Sequence, residues 1–96
     1  MNNSEKIFAQ IKMLSSHITE NTYYDRIQQG YALLTELHDM NLEQKDVYQP
    51  LYEYHNSLND GLSRDYIADL LDYVAGWCPL QYRIWNDWLK AVMEWL

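Results

Sequence analysis

Trp85, Trp88, Leu89, Val92, Met93 and Leu96 recur at i, i+3, i+4, i+7, i+8 and i+11. That spacing is the apolar stripe of an α-helix, held for three turns. Asn86, Asp87, Lys90 and Glu94 fill the other face. Burying each large side chain of such a stripe is worth roughly 1.5–3 kcal/mol, so the rest of the chain must supply helices that cover it. Ile84, Ala91 and Trp95 form a second, flanking row. A stripe this wide implies contacts on two sides, or an exposed apolar edge around Trp95 that could serve as a partner groove.

The preceding helix is expected from Arg64 to about Trp77, with Ile67, Leu70, Leu71, Val74 and Trp77 on its buried face. Ser63 suits the N-cap, since its hydroxyl can accept a bond from a free N–H of the first turn. Asp65 suits the positive end of the helix dipole. Gly76 and Pro79 punctuate the exit, because Pro79 lacks an N–H and disfavours helix at Cys78. The two helices therefore meet at a Trp77-Cys78-Pro79 corner. Leu80, Tyr82 and Ile84 alternate with Gln81, Arg83 and Trp85 as a short strand would. With no second strand candidate to pair with, residues 80–85 are either the first turns of the last helix or an irregular lead-in.

Three further helices precede this pair. The first spans Ser4 to Ser16, with Ile7, Phe8, Ile11, Leu14 and Ile18 on its apolar side. The second begins near Thr22, with Asp25 three residues on as a capping-box variant. Tyr24, Ile27, Tyr31, Leu34, Leu37 and His38 lie along one side of it. Gly30 falls mid-helix at a cost of about 1 kcal/mol relative to alanine, and would let another helix approach closely. The third runs from Leu42 to about Leu58 after an Asn41-x-x-Gln44 start signal, with Val47, Tyr48, Leu51, Tyr52, His55 and Leu58 inward. Pro50 either bends it or separates a short turn at 42–48 from a helix at 50–58. Gly61 is placed to take positive φ beyond its C-cap. Connections this short are usual for bundles and favour antiparallel neighbours.

Ninety-six residues make one domain, spanning 1–96. With 48% hydrophobic residues the chain can bury a core, and three glycines with two prolines disfavour a many-stranded β fold. The fold class is all-α, an antiparallel bundle of four to five short helices. The net charge is −7 and the pI near 4.6. It is uneven, net −2 over Met1 to Lys45 and net −5 over Asp46 to Leu96. Such a chain repels phosphate backbones and anionic lipid, so its partners are expected to be cationic proteins, not nucleic acid or membrane. The single cysteine fits a reducing compartment. The polar MNNSEKIF start and the lack of any apolar run approaching about 20 residues make a cytoplasmic protein the expectation.

No reactive constellation stands out. His17, His38 and His55 stand singly on different helices, away from recognised metal-ligand spacings. A cysteine at the start of a helix can have a lowered pKa, but no base is visible near Cys78 in sequence, and a small buried role is the better expectation. Phosphate loops and Gly-x-Ser-x-Gly are absent from the sequence. No enzyme activity, cofactor or metal is expected. The distinctive pattern is acid interleaved with tyrosine. Asp65, Asp69 and Asp72 recur at i, i+4 and i+7 and form one acidic row, flanked by Tyr66 and Tyr73. Tyr52 and Tyr54 around Glu53 continue it on the third helix. Tyrosine with charge is the composition of interface hot spots, whereas a plain solvated face is the bland alternative.

These features point to a small acidic binding protein that neutralises a basic partner such as a toxin or nuclease, in the manner of immunity proteins and antitoxins, with Asp65, Tyr66, Asp69, Asp72 and Tyr73 at the contact. The alternative is a helical adaptor, monomeric or homodimerising through its tryptophan-rich end.

Overall fold

The structure, a computed structural model, describes residues 3–85. Four helices follow in order: α1 Asn3–Ser16, α2 Glu20–Asp39, α3 Gln44–Ser57 and α4 Leu62–Ala75. A 3-10 turn at Leu80–Tyr82 comes after them, and there is no strand among the described residues. The protein is an all-α helical bundle. The expected long stripe of the last helix lies outside the described residues, apart from its first member Trp85. The edge around Trp95 is also outside them.

α4 is the hub, packing on α1, α2 and α3, with α3 its most extensive neighbour. Tyr66, Ile67, Leu70 and Val74 are fully buried along it. They meet Ile11 of α1, Leu34 and Leu37 of α2, and Val47 and Leu51 of α3 in one apolar cluster. Trp85 joins this cluster. Its indole N–H donates to the Leu42 carbonyl at 3.1 Å and its ring meets His38 edge-on. Residues 80–85 are thus neither α-helix nor strand but a 3-10 turn and a short bend, and they deliver one tryptophan to the core.

Several helix ends differ from the sequence expectation. Thr19, not Thr22, caps α2, and Thr22 is its capping-box partner. The hydroxyls allow either role, and the helix gains a turn by starting at Glu20. Ser63 does not cap α4. Gly61 is the N-cap, and the Ser63 hydroxyl instead donates to the Ser15 carbonyl at 2.5 Å. That bond serves one of the carbonyls left open at the end of α1. Pro50 sits inside a single helix instead of dividing two. α4 stops at Ala75 because Gly76 turns left-handed at φ 88°, which lets the Gly76 and Trp77 N–H groups both donate to the Asp72 carbonyl. Trp77 is consequently off the buried face and 49% exposed. Tyr24, expected along the inner side of α2, is 72% exposed.

Gly30 does what its position suggested. A Cβ there would lie 2.5 Å from the Tyr66 hydroxyl and 2.9 Å from a Leu70 methyl. α2 and α4 therefore cross at this residue with no room for a side chain.

Candidate functional site

The crossing at Gly30 decides which side of α4 faces water. With Tyr66 and Leu70 turned toward α2, Asp65, Asp69 and Asp72 project outward and all three are exposed. Ion pairs join Lys45 to Glu43 and Arg64 to Asp60, and the His38 imidazole contacts Asp39 at 3.2 Å. Among the described residues no Lys, Arg or His pairs with the row.

Tyr66 is corrected. It does not flank the acidic row at the surface. Its ring is fully buried and its hydroxyl donates to the Arg26 carbonyl of α2 at 2.6 Å. Burial pushes its phenol up to about 12, against a smaller lowering by Arg26. Tyr73 does lie beside the row, half-buried. Tyr54 is corrected as well, because it faces α1: its hydroxyl is 3.2 Å from that of Ser15 and the Lys12 ammonium stands over its ring.

On the α2 side of the row lies a cleft of about 370 Å³, lined by Ile27, Asp69, Asp72, Tyr73, Trp77, Cys78, Pro79 and Tyr82. Its wall is aromatic. Tyr31 meets Tyr73 edge-on at 5.1 Å, and both meet Tyr82 at about 6.5 Å. The Tyr31 hydroxyl donates to the Tyr82 carbonyl at 2.9 Å, tying the 3-10 turn to α2. Asp69 is held by Tyr23, whose hydroxyl donates to its Oδ2 at 2.5 Å. Burial and that hydrogen bond both raise the Tyr23 pKa, so the phenol keeps its proton. The Asp72 carboxyl is raised by partial burial and by the neighbouring Asp69 charge. Burial also raises the Cys78 thiol, with Arg83 opposing it. The cysteine is thus half-buried and not a lowered-pKa thiol, in line with the small packing role preferred for it, although less enclosed than expected.

On the α3 side a smaller groove of about 210 Å³ is lined by Tyr48, Tyr52, His55, Asn56, Ala68, Leu71 and Asp72. Tyr48, Tyr52 and His55 stack edge-on along it. Asp72 is thus the ridge between two aromatic-lined depressions. A larger hollow of about 460 Å³ lies between α1 and α2, lined by Met13, Leu14 and Leu33 among others. It is remote from the acidic row and contains only Glu36 as a charged group.

The sequence expectation missed Tyr23, Tyr31 and Tyr82. A signal was present for two of them, since Tyr23, Ile27 and Tyr31 repeat every four residues along α2. Among the described residues there is no group of three or more His, Cys, Asp or Glu arranged to hold a metal ion. No described helix is long and apolar enough to cross a membrane. No protein-family model matches this chain, and neither does any curated protein or any solved structure.

Proposed function

We propose that this protein acts by binding, as a cytoplasmic inhibitor that covers a cationic site on a protein partner with the acidic face of α4. The observation that carries this is the row Asp65, Asp69 and Asp72, exposed and without a cation from the described residues, between two depressions lined by tyrosine. Like charges so placed cost the fold a few tenths of a kcal/mol per pair. An acidic row with aromatic neighbours supplies long-range attraction to a basic surface and short-range contact once there. The contact comprises Asp65, Asp69, Asp72 and Tyr73. Tyr66 supports it only from within.

The test is a pull-down from the native host with the wild type and with Asp65, Asp69 and Asp72 all changed to lysine. A basic partner should be lost from the triple variant. Its association should slow with salt, as the Debye length falls from about 10 Å at 0.1 M to about 3 Å at 1 M. The same partner held equally well by a folded triple variant would refute the proposal and return the acidic row to a solvated face. A homodimer on a sizing column would instead favour the adaptor alternative.

A further inference from the structure

The cleft on the α2 side of the row differs from the rest of the acidic surface. It combines two carboxylates, Asp69 and Asp72, with the rings of Tyr73, Trp77 and Tyr82. We infer that this cleft receives the side chain of an arginine from the basic partner, its guanidinium against the two carboxylates and its plane on the aromatic wall. The inference rests on the partner-binding function proposed above and names the group that the face selects.

Size, charge and shape converge on one side chain. At about 370 Å³ the cleft is at the small end of ligand sites, which run roughly from 300 to 1,000 Å³, so it suits a single side chain better than a whole helix. Asp69 and Asp72 lie one turn apart on α4, and Asp72 is raised first by partial burial and then by the Asp69 charge, so a counter-charge that approaches it is favoured. Arg64, the base nearest in sequence, pairs with Asp60 at 2.8 Å, Arg83 donates its Nε–H to the Gly76 carbonyl at 3.1 Å, and neither is paired with either carboxylate. A guanidinium both pairs with carboxylates and stacks on aromatic faces, while an ammonium is a strongly hydrated point charge that does only the first well. The cleft is also built in advance. Tyr23 fixes Asp69 and Tyr31 fixes the turn that carries Tyr82, so little ordering remains when the ligand enters.

The test needs no partner. Isotope-labelled protein is titrated with N-acetyl-arginine amide, N-acetyl-lysine amide and the neutral isostere N-acetyl-citrulline amide, and backbone amide and indole resonances are followed. Arginine amide should give saturable shifts centred on Asp69, Asp72, Tyr73, Trp77 and Tyr82. Asp72→Asn and Tyr82→Leu should each weaken it about two- to fivefold, the scale of one exposed cation–π or charge contact. Citrulline amide should leave these resonances in place, and lysine amide should bind more weakly than arginine amide. Equal binding of lysine or citrulline amide overturns the assignment. So do shifts of the same size at Asp39 and Glu43, or a titration that neither variant alters. A partner lost from the triple-lysine variant, with no arginine response, sinks the cleft and leaves the acidic face standing. A saturable arginine response with the partner retained refutes the acidic face and the partner's arginine together, because Asp69 and Asp72 are both changed in that variant, and leaves the cleft as a site for free arginine alone.

Discussion

The inner and outer faces of α4 are built on opposite terms. Inside, Tyr66, Ile67, Leu70 and Val74 are fully buried. The buried tyrosine's hydroxyl is satisfied by Arg26, and the neighbouring helix has been cleared of a side chain at Gly30 to let them in. Outside, three aspartates stand on the same arc with no cation from the described residues. One has a tyrosine donor, and another is held partly out of water beside its neighbour's charge. A helix selected only for stability would not carry that row, since each like pair one turn apart costs a few tenths of a kcal/mol. The contrast separates what the fold requires from what it merely tolerates. It also shows why the aromatic residues divide: those that reach α2 become core, and those that reach past it become the cleft wall.

The largest expected effect comes from hollowing the inner face. Leu70→Ala should destabilise by about 2–5 kcal/mol, the range for a buried leucine that leaves a cavity, measured by urea unfolding. A loss well under that range would mean that the helices around α4 collapse to fill the space, and that the inner face is less committed than its burial indicates.

Overfilling the same face should cost less. Gly30→Ala gains about 1 kcal/mol of helix propensity, but its methyl would fall 2.5 Å from the Tyr66 hydroxyl. Overpacking costs of about 1–3 kcal/mol should win. Part of this cost should vanish in a Tyr66→Phe background, where the hydroxyl is gone. A double-mutant cycle with no coupling would show that the backbone, not Tyr66, absorbs the strain.

Tyr66→Phe alone removes one buried hydrogen bond and should cost about 0.5–1.5 kcal/mol at neutral pH. Its pH dependence identifies it. Burial raises the folded phenol from 10.0 to about 12, so the folded state holds its proton longer than the unfolded chain does. The stability this contributes is fully present below the unfolded pKa and is lost as pH rises through the folded one. The wild type should therefore weaken more steeply than the variant between about pH 10 and 12 in urea midpoints. Parallel curves would place the hydroxyl in water.

Much of the inner face was legible in the sequence, because Ile67, Leu70, Leu71 and Val74 keep helical spacing and a mid-helix glycine marks close approach. Tyr66 was misplaced because tyrosine suits both core and surface. Its position one turn before Leu70 was the better guide. The cap differences share a cause, since neighbouring residues each offer a competent cap: Thr19 and Thr22 bond only each other, Glu43 stands at the start of α3 in place of Asn41, and Ser63 is drawn away from its helix end by the Ser15 carbonyl. Periodicity alone puts Trp77 on the buried face because the pattern runs on past Gly76, where the backbone turns left-handed. The acidic row was legible. The cleft beside it was not, since it needs α2 and the 3-10 turn brought against α4, and no local spacing encodes that juxtaposition.

The smallest effect tests the outer face directly. Asp72→Asn keeps the shape of the side chain and removes one charge, so at neutral pH it should stabilise the protein by a few tenths of a kcal/mol, the size of a like-charge pair one turn apart. The sign follows from the raised carboxyl. A folded-state pKa above the unfolded value means that protonation favours the fold, and that the associated stability is lost as pH rises through the folded pKa. At neutral pH the wild type has lost it, and the asparagine variant has nothing to lose. The advantage of the variant should therefore be full above the folded pKa, shrink as pH falls through it, and be gone below the ordinary carboxyl value of 3.8. Salt should shrink the part that comes from Asp69, because repulsion between the two surface carboxylates is screened, and leave the part that comes from partial burial. Denaturant midpoints for both proteins across that pH range, at low and high salt, give the answer. An Asp72→Asn variant less stable than wild type at neutral pH would mean that the carboxylate is held by a favourable contact within the chain, and the outer face of α4 would then belong to the fold as much as the inner one does.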